Sequence, residues 1–217
     1  MAGRFVRSCA VGAAGVLALG AGVLLSMTHE GVAVAAPEPD PVPRRWQLTV
    51  EPGPLRVMAV AVGGQAQLYY YMTYRVTNTS GSDQMFTPSF ELADDMGDVQ
   101  RAGRDVPAEV TKAILTRLES PLLQDQVNVV GMLLQGEENA KDGLVVWPVA
   151  NNHVRALEVY AAGFSGETRT LDAFDPETKG TKRVTLRKTL MLRYQPMGLV
   201  REGVEPYSVL EQRWIMR

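Results

Sequence analysis

The sequence predicts a mainly β protein, an antiparallel β-sandwich with one inserted α-helix. Three observations predict it. Apolar and polar residues alternate over most of the chain after residue 45, which is the period of a half-buried strand. Clusters of Gly, Asn, Asp, Ser and Pro break that alternation at short intervals, as the turns of an antiparallel sheet require. Only one stretch switches to a helical period, so strands do not alternate with helices as they do in parallel-sheet folds.

The first 36 residues read as an export segment. Arg4 and Arg7 are basic, no charge falls between Cys9 and Leu25, and Ala33, Ala35 and Ala36 supply small residues for cleavage, placed after Ala35. An uncleaved membrane anchor is the alternative, because the apolar run approaches the ~20 residues of a spanning helix. Gly12, Gly15, Gly20 and Gly22 weaken such a helix. On either reading residues 37–217 are expected outside the cytoplasmic membrane. Residues 37–45 begin Pro-Glu-Pro-Asp-Pro-Val-Pro and read as a stiff, polyproline-like linker that holds the folded part away.

The domain is then expected over residues 46–217. Trp46, Leu48 and Val50 form a first strand and Leu55 to Val62 a second. Next, Leu68, Tyr70, Met72, Tyr74 and Val76 share one side of a strand, with Tyr69, Tyr71, Thr73 and Arg75 on the other. Asn78-Thr79-Ser80-Gly81 ends it. Phe86, Pro88, Phe90 and Leu92 continue the period up to an Asp94-Asp95-Met96-Gly97 turn. Val106, Val110, Ile114 and Leu118 then follow an i, i+4 row, with Pro107 at the first helical position and Glu109 in the first turn. This predicts a helix near 106–119, stopped by Ser120-Pro121. Its apolar stripe must rest on an open end or face of the sandwich. Strands are expected again at Val127 to Leu134, Leu144 to Val149 and Val154 to Phe164. Val184, Leu186, Leu190, Leu192 and Tyr194 make another, interrupted on the same face by Lys188, and Val209 to Met216 closes the sheet.

Composition narrows the chemistry. The 217 residues carry a net charge of −2, which gives no reason to expect nucleic-acid binding. After residue 36 there is no cysteine and one histidine, His153. Disulfides, thiol nucleophiles, Cys/His zinc sites and two-histidine sites are excluded there.

Several clusters remain as candidate sites. Asp94, Asp95 and Asp98 crowd one turn, with Glu91 before it, and could supply oxygen ligands to calcium, although the spacing is not that of an EF-hand loop. Calcium is the only cofactor this suggests; otherwise none is expected. Glu137, Glu138 and Asp142 fall in a predicted turn, where adjacent acids do not by themselves face each other across a cleft as glycoside hydrolysis needs. Lys179, Lys182, Arg183, Arg187, Lys188 and Arg193 form a basic run that suits an anionic envelope polymer, a lipid headgroup or an acidic partner; the same pattern protects an edge strand. Tyr69 and Tyr71 could form a contact surface or pack within the protein. Ser165 lies in Gly-Phe-Ser-Gly-Glu, where the nucleophile-elbow pattern needs glycine at Glu167, and His153 reads as a loop histidine. Asn78-Thr79-Ser80 matches a glycosylation sequon, and a turn explains the same residues.

The run Tyr71-Met72-Thr73-Tyr74-Arg75-Val76-Thr77-Asn78-Thr79-Ser80-Gly81, followed by Phe90-Glu91-Leu92-Ala93-Asp94-Asp95-Met96-Gly97, resembles the strand–turn–strand signature of immunoglobulin-like domains in exported bacterial proteins. Gly136-Glu137 and Gly143-Leu144-Val145-Val146-Trp147-Pro148 extend the likeness. Residues 46–195 as a whole look like a group of uncharacterised secreted bacterial proteins. The resemblance implies an immunoglobulin-like sandwich and no particular reaction.

These readings together suggest an exported, non-catalytic module that binds an envelope protein or anionic polymer, with no nucleic acid and with membrane contact only through an uncleaved amino-terminal segment. The alternative is a hydrolase of envelope polymer using acids among Glu137, Glu138, Asp94 and Asp98, assisted by calcium. A carrier with a pocket under the helix is a third reading.

Overall fold

The computed structural model describes residues 37–217; residues 1–36, expected from sequence to be an export or anchor segment, lie outside the described residues. Two long strands, β1 (Thr49–Val62) and β2 (Gln65–Asn78), make the first hairpin. Gly63 and Gly64 close it at φ +58° and +81°, the backbone a two-residue hairpin loop of matching twist demands. The sequence suggested a strand break before Leu55. Instead, β1 is continuous and kinks where its register slips between Pro52 and Leu55. Pro52 and Pro54 have no N–H for the ladder, so the irregularity falls there, on the sheet edge.

There follow β3 (Gln84–Phe86), β4 (Ser89–Asp94), β5 (Val99–Arg101), α1 (Ala108–Leu118), β6 (Leu123–Gln124) and β7 (Gly131–Leu133). The chain ends with β8 (Gly136–Pro148), β9 (Leu157–Ala162), β10 (Thr168–Asp175), β11 (Gly180–Tyr194) and β12 (Glu211–Met216). One sheet runs β1-β2-β8-β6. A second runs β10-β11-β9-β4-β5, with β12 also on β11, and β3 pairs with β7 apart from both. Every pairing is antiparallel except that of β6 with β8.

The alternation in β2 has a direct structural cause. Tyr70, Met72, Tyr74 and Val76 enter one core together with Val145 and Trp147 of β8. The opposing sheet supplies Phe90, Leu92, Val159, Leu190, Leu192 and Tyr194 to the same core. Each such side chain contributes about 1.5–3 kcal/mol when fully buried. Tyr74, Phe90, Phe86 and Phe164 cluster at its centre, with Tyr74 and Phe90 centroids 4.9 Å apart. Gly143 lies opposite Tyr74 in the register, and a Cβ there would come within 2.3 Å of the ring.

The helix forms where the i, i+4 row placed it. Pro107 precedes it at φ −59°, and Glu119 ends it in the left-handed region. Val110 and Ile114 pack on the outer face of the first sheet, over Tyr69, Tyr71, Leu144 and Val146.

Four further expectations about strands change. Phe86 to Leu92 is not one strand: Pro88 separates β3 from β4, which belong to different sheets. Most of Val127 to Leu134 is not strand, because the Asp125 carboxylate accepts the N–H groups of Val127 and Asn128 and curls the chain into a turn. Glu137 to Asp142, expected as a turn, is the first half of β8, where Asp142 faces Arg75 of β2 at 3.1 Å. Finally, β5, β6 and β10 had no counterpart among the expected strands.

Candidate functional site

The most built concave site among the described residues lies along the seam between β1, an edge of the first sheet, and β12, which pairs only with β11. Its foundation is the stretch Trp46 to Leu48 laid along the loop after β9. Leu48 N–H donates to the Phe164 carbonyl at 2.9 Å and Gly166 N–H to the Trp46 carbonyl at 3.0 Å. Glycine is required at 166, since a Cβ there would meet the Trp46 indole nitrogen at 2.4 Å.

The proline-rich segment before Trp46 was expected to stand off the domain. It is instead fastened to it at Asp40. The Asp40 N–H donates to Glu167 Oε1 at 2.9 Å, and the Asp40 carboxylate pairs with Arg169. Lys188 Nζ donates to Glu167 Oε2 at 2.9 Å and reaches toward the Asp40 carbonyl at 3.5 Å. Burial pushes the Glu167 carboxyl up, but the Asp40 N–H and the Lys188 ammonium outweigh it and hold the group below its ordinary range. Four prolines on a short segment leave it little conformational freedom to lose, so a few polar contacts suffice to fix it.

Fixed in this way, the segment forms one wall of a cleft of about 670 Å³, whose other wall is Trp214, Ile215 and Met216. A second cleft of about 720 Å³ adjoins it and shares Pro43, Gln47 and Trp214 as common walls. Both volumes are of ligand-binding size. Lys188 lies 5.7 Å from the centre of the Trp214 ring. The Gln47 side-chain oxygen is buried and accepts no hydrogen bond among the described residues. Arg44 and Arg45 line the second cleft, and no Asp or Glu among the described residues does.

Sequence reasoning missed this site. Its one local signal was Lys188, a charge inside the apolar row of β11.

The residues singled out from sequence are distributed elsewhere. Tyr69 and Tyr71 are 1% and 8% exposed beneath α1, so they pack as core and offer no contact surface. Half of the basic run, three residues of six, is matched by acids among the described residues. Arg193 pairs with Glu158 and Glu211, Arg183 faces Asp172 at 3.5 Å, and Lys188 is spent on Glu167. Lys182 and Arg187 are exposed on β11, and Arg187 exchanges backbone hydrogen bonds with Arg217.

Asp94, Asp95 and Asp98 do not converge as a calcium site. The Asp94 carboxylate accepts the N–H groups of Met96 and Asp98, while Asp95 accepts that of Arg155. No group of three or more ligating side chains occurs among the described residues. Glu137 and Glu138 sit at the start of β8, whereas Asp94 and Asp98 line a small cavity with Tyr70 and Ala150, beyond its far end. From Glu138 to Trp147 is roughly 30 Å at about 3.3 Å per residue, too far for a glycosidase pair.

His153 is exposed, with its N–H held by Asn151, and the Ser165 hydroxyl accepts the Glu167 N–H. Asn78 is fully buried and donates both amide hydrogens, to the Ser82 and Leu133 carbonyls.

Comparison of the chain with protein-family models, with curated proteins and with solved structures finds no match in any of the three.

Proposed function

We propose that this protein is an exported, non-catalytic β module that binds a polymer of the cell envelope in the cleft beside Trp214. The observation that supports it is the fixed wall: Asp40, Glu167, Lys188 and Arg169 fasten the proline-rich segment in place. A preformed cleft spares the cost of ordering its walls on binding. With the adjoining cleft it presents two indoles, an amide oxygen without a partner among the described residues, and the guanidinium groups of Arg44, Arg45 and Arg213, which suit recognition.

Export follows from the basic, apolar and small-residue pattern of residues 1–36, which leaves the rest of the chain outside the membrane, free or anchored. An immunoglobulin-like arrangement of the two sheets is part of the proposal. Its support is the resemblance of residues 71–97, together with antiparallel sheets that share one core. No metal or cofactor takes part.

The test is co-sedimentation of the full chain with isolated, protein-stripped envelope material. The chain is expected in the pellet, and retention in the supernatant overturns the reading.

A protein partner is the second reading, favoured by the ribbon of β10 and the Gly180–Leu186 part of β11. Among the described residues this ribbon has no further strand on either edge. Its Leu171, Val184 and Leu186 are only half-buried, and Phe174 near its tip is 73% exposed. Crosslinking in cells with mass spectrometry would then recover one envelope protein at near-equal amount.

A further inference from the structure

We infer, resting on the polymer-binding reading above, that the ligand is an acidic polysaccharide, an extended chain bearing sugar carboxylates of the uronate type. Shape is the first ground. Two clefts adjoin along the β1–β12 seam with Pro43, Gln47 and Trp214 as shared walls, which accommodates an extended chain better than a compact molecule.

Surface chemistry is the second. Trp46 and Trp214, two of the three tryptophans, are half-buried and line these clefts. A pyranose ring presents C–H groups on its faces, which pack on an indole, and hydroxyls around its rim. Rim hydroxyls are hydrogen-bond donors, and the buried Gln47 oxygen is an acceptor with no partner among the described residues. Gln212, exposed on the second cleft, offers both a donor and an acceptor.

Charge is the third. The first cleft is balanced, with Glu38 and Asp40 against Lys188 and Arg213. The second has Arg44 and Arg45 and, among the described residues, no acid. Arg44 is 83% exposed with only a 3.5 Å contact to Asp40, and Arg45 makes no ion pair among the described residues. A sugar carboxylate there meets guanidinium forks that can take both its oxygens. A polyphosphate would satisfy the arginines and leave the indoles and amides unused, and a polyglutamate lacks both the hydroxyls and the flat C–H face.

The experiment titrates the full chain with oligogalacturonate, reading tryptophan fluorescence, with neutral cello-oligosaccharide and polyglutamate as controls. Oligogalacturonate is expected to bind saturably and shift the emission, with the neutral oligomer about tenfold weaker through loss of the charge-assisted bonds. Arg45→Ala and Gln212→Ala, both at exposed positions, are expected to weaken binding while leaving the thermal transition in place, and Trp214→Ala to abolish it. Equal binding of polyglutamate overturns the sugar, and equal binding of the neutral oligomer overturns the acid. Failure of all three ligands, with the chain still sedimenting on envelope material, overturns this inference and leaves the binding reading intact. Failure of both assays overturns both.

Discussion

The Lys188 ammonium lies 2.9 Å from the Glu167 carboxylate although the two side chains are only 3% and 6% exposed. Lys188 comes from β11 and Glu167 from the loop after β9, and the second oxygen of Glu167 holds the Asp40 N–H. One buried pair therefore joins the second sheet, a connecting loop and the proline-rich wall of the cleft.

Removing one partner of this pair leaves the other charge buried alone. Glu167→Gln is expected to destabilise the chain by about 3–5 kcal/mol in urea denaturation. Replacing both, as Lys188→Met with Glu167→Leu, is expected to recover most of that loss, because two apolar side chains leave no buried charge. The double variant still lacks the acceptor for Asp40 N–H. Limited proteolysis should therefore cut within residues 37–45 faster than in the parent, even where the core is as stable.

Acid should weaken the fold in a defined window. Glu167 is held below its ordinary range as described, and Glu158 is held low by the Tyr160 hydroxyl and Arg193 against the opposing effect of burial. A depressed carboxyl contributes stability that is complete above its unfolded pKa of about 4.3 and is lost as pH falls through the lower folded value. Thermal melts should be flat for these groups from neutral pH to about 5 and fall below about 4. Glu158→Gln should flatten that acid limb; an unchanged limb in this variant would exclude Glu158 as a contributor.

The helix covers the outer face of the first sheet, and Ile114 is fully buried there. Ile114→Ala is expected to cost about 2–5 kcal/mol by chemical denaturation. Tyr69 and Tyr71 should resist nitration in the native chain and become reactive in this variant as the helix loosens.

Asn78 should carry no glycan when the folded chain is offered to a glycosylating extract, as intact-mass spectrometry would record. Its amide nitrogen is committed to the Ser82 and Leu133 carbonyls, and its oxygen accepts from Ser80. Asn78→Ala leaves the buried Leu133 carbonyl without this donor and should cost about 1–3 kcal/mol for that group alone.

Legibility from sequence depended on how local the deciding contacts were. The period of β2 and the row Val106, Val110, Ile114 and Leu118 are visible because each element buries one face along its own length. The start of β8 misled because its Glu and Asp residues resemble turn chemistry. They are strand because β2 offers paired backbone groups and Arg75 across from Asp142. Strand β10 was overlooked because its partner, the first half of β11, protrudes with it as a ribbon, so its apolar side is only half-buried and its alternation weak.

The candidate cleft shows the same division more sharply. Trp46 and Gln47 stand far along the chain from Gln212 and Trp214, and no local pattern announces that they share walls. Lys188 broke an apolar row in plain view, but a buried charge is intelligible only with its partner, which comes from a loop in another part of the chain.

The sequence by itself determined a mainly β chain with one helix, because periodicity and turn chemistry are properties of neighbouring residues. It also excluded cysteine and two-histidine chemistry after residue 36, because composition alone settles which side chains are present. Tertiary structure alone decided that Tyr69 and Tyr71 are covered, that the acids suggested as a hydrolytic pair stand at opposite ends of β8, and that the proline-rich segment is a wall and not a tether. Each of those outcomes is a meeting of residues distant in sequence. Such meetings follow from strand pairing and from the requirement that buried charges and backbone groups find partners, and both are satisfied only across the whole fold.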